Sequence, residues 1–308
     1  MRHKLRGVDA AVVYERIAVM QHLSVFFPKN PRATRVVESN GIMSRETSQD
    51  RQALALVRLA EAIERRAYRS ADLVVCVSDA LAREVAAFSG VQRDRIVVIR
   101  NAIPDEVMRL RRSRDDGRLI IGFAGAVVAW QQLDVLIRAV ATVNHTRASP
   151  LYPIEVEIIG DGPCRTEIEA LTRELGLQHH VRLFGSMSRE ATYAQMVNWD
   201  AGFAGHKPSS SKAMYHSPLK VYEYAGCGVP VIATESEDLR GLVYHGYEAR
   251  LFSTELELGG VLAQFAVDTP RWREDPPWRA KLSITDSWAA RVAQLQQVLV
   301  ERGTHARA

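Results

Sequence analysis

The chain of 308 residues has a formal net charge of +4, and 47% of its residues are hydrophobic. This is an ordinary globular composition with material for about two domains. Nucleic-acid binders typically concentrate their basic residues in a stripe. Here the basic residues are spread along the chain, so we expect no nucleic-acid partner.

The cysteines and the first residues indicate a cytoplasmic protein. Cys76, Cys164 and Cys227 make no complete disulfide set and lack metal-ligand spacing. Asp9 and Glu15 interrupt the first apolar stretch, so it is no signal peptide. No run approaches the roughly 18 uncharged apolar residues of a membrane span. The mild basicity is compatible with peripheral contact at acidic lipid headgroups.

Short apolar runs alternate with helical patterns along the chain. The runs are rich in Val and Ile, and several are continuously apolar, which favours parallel strands covered on both faces. The predicted strands are residues 10–14, 35–39, 73–78, 95–99, 119–125, 154–160, 181–185, 201–205 and 230–234. The predicted helices are residues 49–70, 79–88, 132–144, 164–176, 189–198, 217–227 and 286–303. This order predicts an α/β protein built from doubly wound parallel sheets.

An Arg-rich segment, "RLRRSRDDGR" (109–118), separates two groups of elements and is interpreted as a solvated linker. We therefore expect one domain over 1–108, a second over 109–285, and a C-terminal helix over 286–308 that packs back toward the first domain. The first domain holds only about four strands, which predicts an incomplete domain whose bare edge favours association into a homo-oligomer.

Ligands of open α/β sheets bind beyond the carboxyl ends of the strands. In the second domain these ends carry "GFAGAVVAW", "GDGP" and "FGSM". Gly122 and Gly125 let a ligand approach the backbone closely. The Gly-Asp-Gly turn that contains Gly162 is, by itself, more often only a turn.

The stretch "HSPLKVYEY" (216–224) combines a helix start with a charge pair. Ser217 is a good N-cap and Pro218 suits the first helical position, so the free N–H groups there predict an anion site that Lys220 reinforces. Glu223 lies on the same face and can accept two hydrogen bonds from a ribose. This layout fits a nucleoside diphosphate, whereas the alternative is a helix-surface pair worth roughly 0.2–0.5 kcal/mol.

Taken together, these pieces resemble retaining glycosyltransferases of family 4, which have the GT-B fold. The resemblance covers most of the chain and is carried, in the family's order, by "ADLVVCVSDALAREV", "IVVIRNAIP", "IGFAGAVVAWQQLDVLIRA", "VEIIGDGP", "VRLFGSM", "SPLKVYEYAGCGVPVIAT" and the helix of Trp288. The most specific element is the "SPLK" and "EY" stretch. The resemblance implies transfer of a sugar, with retention of its anomeric configuration, from a UDP-, GDP- or dTDP-sugar. It implies no metal or other cofactor, and an unidentified acceptor that is a polysaccharide, a lipid-linked molecule or a small molecule.

The resemblance also implies roles for individual residues. The catalytic candidates are Glu223, Lys220 and Asn40, the last at a strand end where many members carry a His near the donor sugar. The expected donor-binding residues are Gly125, Gln131, Gly162, Ser186, Met187, Ser217, Pro218, Leu219, Lys220 and Glu223. Of these, residues 218–220 are expected to hold the diphosphate, Glu223 the ribose, and residues 186–187 the base. Glu15 and Arg16 are expected to face the cleft, although a structural ion pair explains Arg16 equally well.

Three features depart from the family pattern. Tyr215 stands where many members have a Glu. Gln131 replaces a usual Lys, and Gln132 replaces a usual Gly. The first part of the amino-terminal domain is expected to be missing. These departures favour an alternative function, a truncated homologue that binds a nucleotide sugar or a partner protein without turnover. An epimerase of the same fold fits the "SPLK" stretch less well.

Overall fold

The computed structural model describes residues 12–19, 33–49, 54–114, 116–146, 153–207, 217–268 and 276–302. The strands are β1 Val12–Arg16, β2 Thr34–Ser39, β3 Leu73–Cys76, β4 Ile96–Val98, β5 Leu119–Ala124, β6 Ile154–Ile159, β7 Val181–Gly185, β8 Ala201–Ala204, β9 Val231–Thr234 and β10 Ala249–Phe252. The helices are α1 Met43–Gln49, α2 Val57–Ser70, α3 Asp79–Ser89, α4 Asp105–Met108, α5 Leu133–His145, α6 Arg165–Glu174, α7 Arg189–Met196, α8 Leu219–Cys227, α9 Glu237–Tyr244, α10 Glu255–Asp268, α11 Pro277–Thr285 and α12 Trp288–Glu301.

The described residues form two compact units. Unit 1 contains those up to residue 101, together with Ser217 and residues 291–302, and unit 2 contains those of 102–207 and 218–290. The chain thus changes unit after Asn101, earlier than the predicted limit at 108. The predicted domain limits carry functional assignments to acceptor and donor, and they stay predictions.

Unit 1 is a parallel sheet in the order β1-β2-β3-β4. Successive strand residues point to opposite faces. Val37, Val74 and Cys76 pack with α2 and α3 on one face, and Val36, Leu73 and Val75 pack with Leu295 and Val298 of α12 on the other. Both faces are therefore covered by helices, which accounts for the continuously apolar sequence of β3.

Unit 2 is a six-stranded parallel sheet in the order β10-β9-β8-β5-β6-β7. The central strand β5 is buried at every residue. The chain adds β6 and β7 on one side of β5 and then β8 to β10 on the other, so the order reverses between β5 and β8. This reversal is where ligands of such sheets bind, beyond the carboxyl ends of the strands.

Two apolar layers cover the faces of this sheet. One is formed with α5, α6 and α10 around Phe123, Ile137 and Leu258, and the other with α7, α8, α9 and α11 around Tyr193, Tyr224 and Leu282. The doubly wound α/β architecture predicted from the sequence is confirmed. None of the helices in the described ranges is both long and apolar enough to cross a bilayer.

Each predicted strand is present, with bounds that shift by two residues or fewer. The prediction missed β10, which is a half-exposed edge strand containing Arg250, and it missed α4, α9, α10 and α11. The predicted helix over 49–70 is confirmed over Val57–Ser70, which is α2, whereas residues 54–56 are not helical. The helix α1, which ends at Gln49, was also missed. The last helix is capped by Ser287, whose Oγ accepts from the N–H of Ala290 at 3.2 Å.

The Arg-rich segment 109–118 has exposed residues, among them Arg109 and Arg111, as expected of a solvated linker, but Arg112 and Arg114 anchor it. Asp200 is buried, and its carboxylate accepts from Arg112 Nη2 at 2.8 Å, from Arg114 Nη2 at 2.5 Å and from the N–H of Ile120 at 2.8 Å. Asn198 Oδ1 accepts from two backbone N–H groups of the same segment. The segment is thus fixed to the amino end of β5.

Replacing Asp200 with Ala should lower the free energy of unfolding by about 3–5 kcal/mol, because it removes a buried carboxylate that two arginines and the N–H of Ile120 share. Urea unfolding measures the loss. The matched control is Asp116→Ala, which removes an exposed carboxylate from Arg114 and Arg118 and should cost less than about 1 kcal/mol. Equal losses in the two variants would contradict the anchoring role.

Candidate functional site

The helix α8 begins at Leu219, two residues later than predicted. Pro218 is its N-cap, with no side-chain cap, and the helix ends at Gly228, whose φ is +77°. Ser217 therefore precedes the cap, and Asn101 Nδ2 donates to both its carbonyl oxygen at 2.7 Å and its Oγ at 3.0 Å. Proline has no N–H, so the donors in the first turn of α8 are those of Leu219 and Lys220, which lack intrahelical acceptors.

The ammonium of Lys220 lies against β5 and the loop that follows it. Its Nζ donates to Gln131 Oε1 at 2.6 Å and lies 3.9 Å from the centre of the Phe123 ring. Desolvation lowers the pKa of Lys220 from its ordinary value to about 7, against the opposing effect of Glu223. A bound anion beside the ammonium would hold it in the charged form.

Gly125 lies beside this ammonium. Its φ of +146° is a conformation that residues with a side chain rarely adopt, and an added Cβ would lie 3.3 Å from Lys220 Nζ. The Gly125 N–H donates to the carbonyl of Ile159 at 2.9 Å. A glycine here leaves the backbone after β5 open to a ligand at Lys220.

Gly162 lets two loops pack backbone to backbone. A Cβ at Gly162 would overlap the carbonyl oxygen of Val127, which accepts from the N–H of Cys164 at 3.1 Å. The Val127 N–H in turn donates to the Asp161 carbonyl at 3.0 Å. The loops after β5 and β6 therefore form one framework, and the donor-binding role of Gly162 stays a prediction.

Gln131 and Gln132 follow β5 at the switch point. Gln132 has φ +54°, and within the described ranges it is the non-glycine residue with positive φ. This left-handed conformation costs roughly 1–2 kcal/mol. The Gln132 side chain accepts from Thr234 Oγ1 at 3.1 Å, and Thr234 Oγ1 accepts from the N–H of His206 at 2.9 Å. Loop ends after β5, β8 and β9 are thus joined by polar contacts.

Glu223 is partly buried one turn beyond Lys220. Its Oε1 accepts from the phenol of Tyr193 at 2.9 Å, and that phenol oxygen accepts from Arg189 Nε at 3.0 Å. Neither Tyr193 nor Arg189 was predicted from the sequence. Their spacing of four residues on α7 was the available signal, but nothing in the sequence connects them to Glu223.

The predicted base-binding residues lie between β7 and α7. Ser186 is exposed, and Met187 is partly buried and packs on the apolar layer around α7 and α8. Ser188 follows them and caps α7, accepting from the N–H of Ala191 at 3.2 Å. These positions agree with a role at the rim of a site, and the role itself stays a prediction.

Asn40 belongs to unit 1 and lies at the carboxyl end of β2. Its Nδ2 donates to Glu38 Oε1 at 2.8 Å, and the Tyr14 phenol donates to Glu38 Oε2 at 2.8 Å. Arg16 Nε lies 3.7 Å from the same carboxylate. Burial and Glu38 raise the pKa of Tyr14. Arg16 therefore takes part in an ion pair, and the catalytic role of Asn40 stays a prediction. Tyr215 lies outside the described residues.

Within unit 2 the structure brings Gly125, Gln131, Lys220 and Glu223 to the carboxyl edge of the sheet. No group of three or more His, Cys, Asp or Glu side chains in the described ranges has the geometry of a metal site. The arrangement offers a cation, helix N–H donors and a carboxylate one turn away, which suits an anionic ligand that also carries hydroxyl donors.

Two family models match the chain. Residues 106–257 match the model of Glycosyl transferases group 1, and residues 44–107 match that of Glycosyltransferase Family 4. The first match contains β5 to β10 and the whole of α8. The residues assembled around Lys220 therefore lie in the part of the chain that matches group 1.

One curated relative spans nearly the whole chain. The lipopolysaccharide core biosynthesis glycosyltransferase LpsD of Rhizobium meliloti (strain 1021) is 25% identical over 307 residues, which are 95% of this chain and 82% of the relative. The chitobiosyldiphosphodolichol beta-mannosyltransferase of Yarrowia lipolytica is 26% identical but covers 42% of this chain and 27% of its own length.

Solved structures show the same fold. Anabaena Alr3699/HepE in complex with UDP has a TM-score of 0.69 at 18% identity, over 88% of this chain and 73% of that one. The lipopolysaccharide outer core galactosyltransferase WaaB has a TM-score of 0.67 at 15% identity, over 97% and 78%. The predicted GT-B fold class is thereby confirmed, whereas the retaining mechanism and the incomplete first domain stay predictions.

Replacing Lys220 with Met should change how stability depends on pH. At pH 6 Lys220 is protonated in both the folded and the unfolded state. The folded state then bears the full cost of desolvating the ammonium, so the variant should be more stable than the wild type. As the pH rises above about 7, the folded wild type loses this proton while the unfolded chain keeps it to about pH 10. Between pH 7 and 9 the free energy of unfolding of the wild type should therefore rise relative to that of the variant.

Unfolding free energies of both proteins at pH 6, 7.5 and 9 measure this change. Lys281 on α11 is exposed, so Lys281→Met is the matched control and should show no such convergence with the wild type. A difference between wild type and Lys220→Met that stays constant with pH would contradict a desolvated ammonium.

Proposed function

We propose that this chain, which carries domains matching glycosyl transferases group 1 and family 4, transfers a sugar from a nucleoside-diphosphate sugar to a hydroxyl acceptor. One observation carries the proposal: the desolvated Lys220 ammonium lies in the first turn of α8, beside Gly125, with Glu223 one turn further. A cation followed at this spacing by a carboxylate matches a diphosphate followed by a ribose.

The start of α8 suits the departing diphosphate. The N–H groups of Leu219 and Lys220 point toward the helix N-terminus, where the helix dipole is positive. During transfer the bond between the anomeric carbon and the diphosphate oxygen breaks, and the oxygen keeps the electron pair. The acceptor hydroxyl forms the new bond to carbon, and its proton passes to the diphosphate product or to solvent. Negative charge thus grows beside fixed positive groups, which lowers the barrier.

The other end of the donor is assigned to α7 and α8. The Glu223 carboxylate accepts hydrogen bonds from the ribose hydroxyls, and residues 186–187 border the base. Ser217 and Pro218 set the entry to the helix, and Gly162 keeps the loop after β6 against that after β5. Binding in this mode needs no metal ion, because the diphosphate meets the ammonium and the helix N-terminus.

The donor is a UDP-, GDP- or dTDP-sugar, and UDP is favoured by the Anabaena protein of the same fold, which binds UDP. The relative from Rhizobium acts in lipopolysaccharide core biosynthesis, which supports a saccharide acceptor on a glycoconjugate. We further propose that transfer proceeds with retention, as the sequence resemblance implies, and that the protein works in the cytoplasm or at the membrane surface.

A second function is a nucleotide-sugar binder without turnover. The observation in its favour is Gln131, which places a neutral amide beside Lys220 where the family usually has a lysine. An amide oxygen orients the ammonium but adds no charge to stabilise a leaving diphosphate. The two functions therefore differ in turnover and agree in binding.

Turnover of a panel of UDP-, GDP- and dTDP-sugars tests the proposal. The wild type should hydrolyse or transfer from one donor, Lys220→Met should lower kcat/KM at least about tenfold, and Gln131→Lys should raise kcat because it adds a charge at the leaving group. Gln131→Met is the control for losing the amide without adding charge. Donor binding without turnover in the wild type and in Gln131→Lys would favour the binder, and a wild type that binds no donor would overturn both functions.

A further inference from the structure

A buried tyrosine connects a surface arginine to the carboxylate of the site. The Tyr193 phenol donates to Glu223 Oε1 at 2.9 Å and accepts from Arg189 Nε at 3.0 Å. Arg189 and Tyr193 lie one turn apart on α7, and Glu223 lies on α8. The three side chains form a chain of hydrogen bonds that runs from solvent to the ligand side of unit 2.

Packing fixes the tyrosine, so it can hold the carboxylate in one orientation. Tyr193 is 4% exposed and belongs to the apolar layer with Met196, Val221 and Tyr224. A phenol has one proton, and here it goes to Glu223. The guanidinium that donates to the phenol oxygen polarises it and strengthens this bond. Desolvation raises the pKa of Tyr193 to about 12, so the phenol keeps its proton at neutral pH.

The geometry leaves the carboxylate able to bind two hydroxyls. Oε1 takes the Tyr193 bond and retains a second lone pair, and the hydrogen bonds that the described residues make to Glu223 leave Oε2 to a ligand. A carboxylate free to rotate would lose conformational freedom on binding, whereas this one has lost it already.

The same helix supports the predicted base side of the site. Ser188 caps α7 and directly follows Ser186 and Met187, so the loop proposed to border the base leads into the helix that carries the tyrosine that holds Glu223.

We propose that Tyr193 is a positioning residue that sets Glu223 to bind both hydroxyls of a ribose, with Arg189 behind it, so that the protein prefers nucleotides with a complete 2′,3′-diol. This inference rests on the proposed function and narrows it: UDP- and GDP-sugars are preferred to dTDP-sugars, which lack the 2′-hydroxyl.

Calorimetric titration of the full chain tests the proposal with UDP, 2′-deoxy-UDP and inorganic diphosphate as ligands. The wild type should bind UDP about tenfold more tightly than 2′-deoxy-UDP. Tyr193→Phe removes one oxygen, so it should reduce the ratio of the affinities for UDP and 2′-deoxy-UDP to about two. It should leave the affinity for inorganic diphosphate unchanged. Arg189→Leu should reduce the ratio by a smaller factor, because the tyrosine bond remains.

Tyr247→Phe is the matched control. This equally buried phenol in unit 2 donates to the Val229 carbonyl at 2.8 Å, so its loss should lower stability without changing the ratio. A Tyr193→Phe protein that keeps the wild-type ratio would overturn the inference and leave the proposed function standing. A wild type that binds UDP no better than 2′-deoxy-UDP overturns the inference alone. A wild type that binds no nucleotide overturns both.

Discussion

A partly buried lysine ammonium in the first turn of a helix is the group on which the rest of the site depends. Two effects disfavour its charge: desolvation, which lowers the pKa of Lys220 to about 7, and the positive end of the α8 dipole. The Gln131 oxygen and the face of the Phe123 ring compensate only in part. A polyanion at this point relieves both effects, which is why the arrangement suits a diphosphate.

The sheet of unit 2 supplies the rigidity that such a site requires. Its strand order reverses between β5 and β8, and the loops at that edge are bonded to each other through backbone groups. Glycines at 125, 160 and 162 allow the close approach, because a side chain at any of them would meet a neighbouring backbone or the Lys220 ammonium. The strained backbone of Gln132 lies at the same edge, where local strain commonly accompanies function.

Much of this arrangement could be predicted from the sequence, since local patterns determine it. Continuously apolar runs predicted the parallel strands, and the helical period placed Lys220 and Glu223 on one face of α8. The helix α10 was missed because Gly259 and Gly260 lower its helix propensity, which the burial of Leu258 and Leu262 overrides. Local patterns carried no sign of tertiary partners. Ser217 was assigned as the cap because its bond to Asn101, 116 residues away, is not visible in sequence. Tyr193 was missed for the same reason, because it lies 30 residues from Glu223 in the sequence.

The most direct measurement is a crystal structure of the full chain with UDP, or with whichever nucleoside diphosphate binds most tightly. We expect diphosphate oxygens within hydrogen-bond distance of the N–H groups of Leu219 and Lys220 and of Lys220 Nζ, with the ribose hydroxyls on Glu223. A nucleotide bound at another place, with the first turn of α8 free of phosphate, would contradict it.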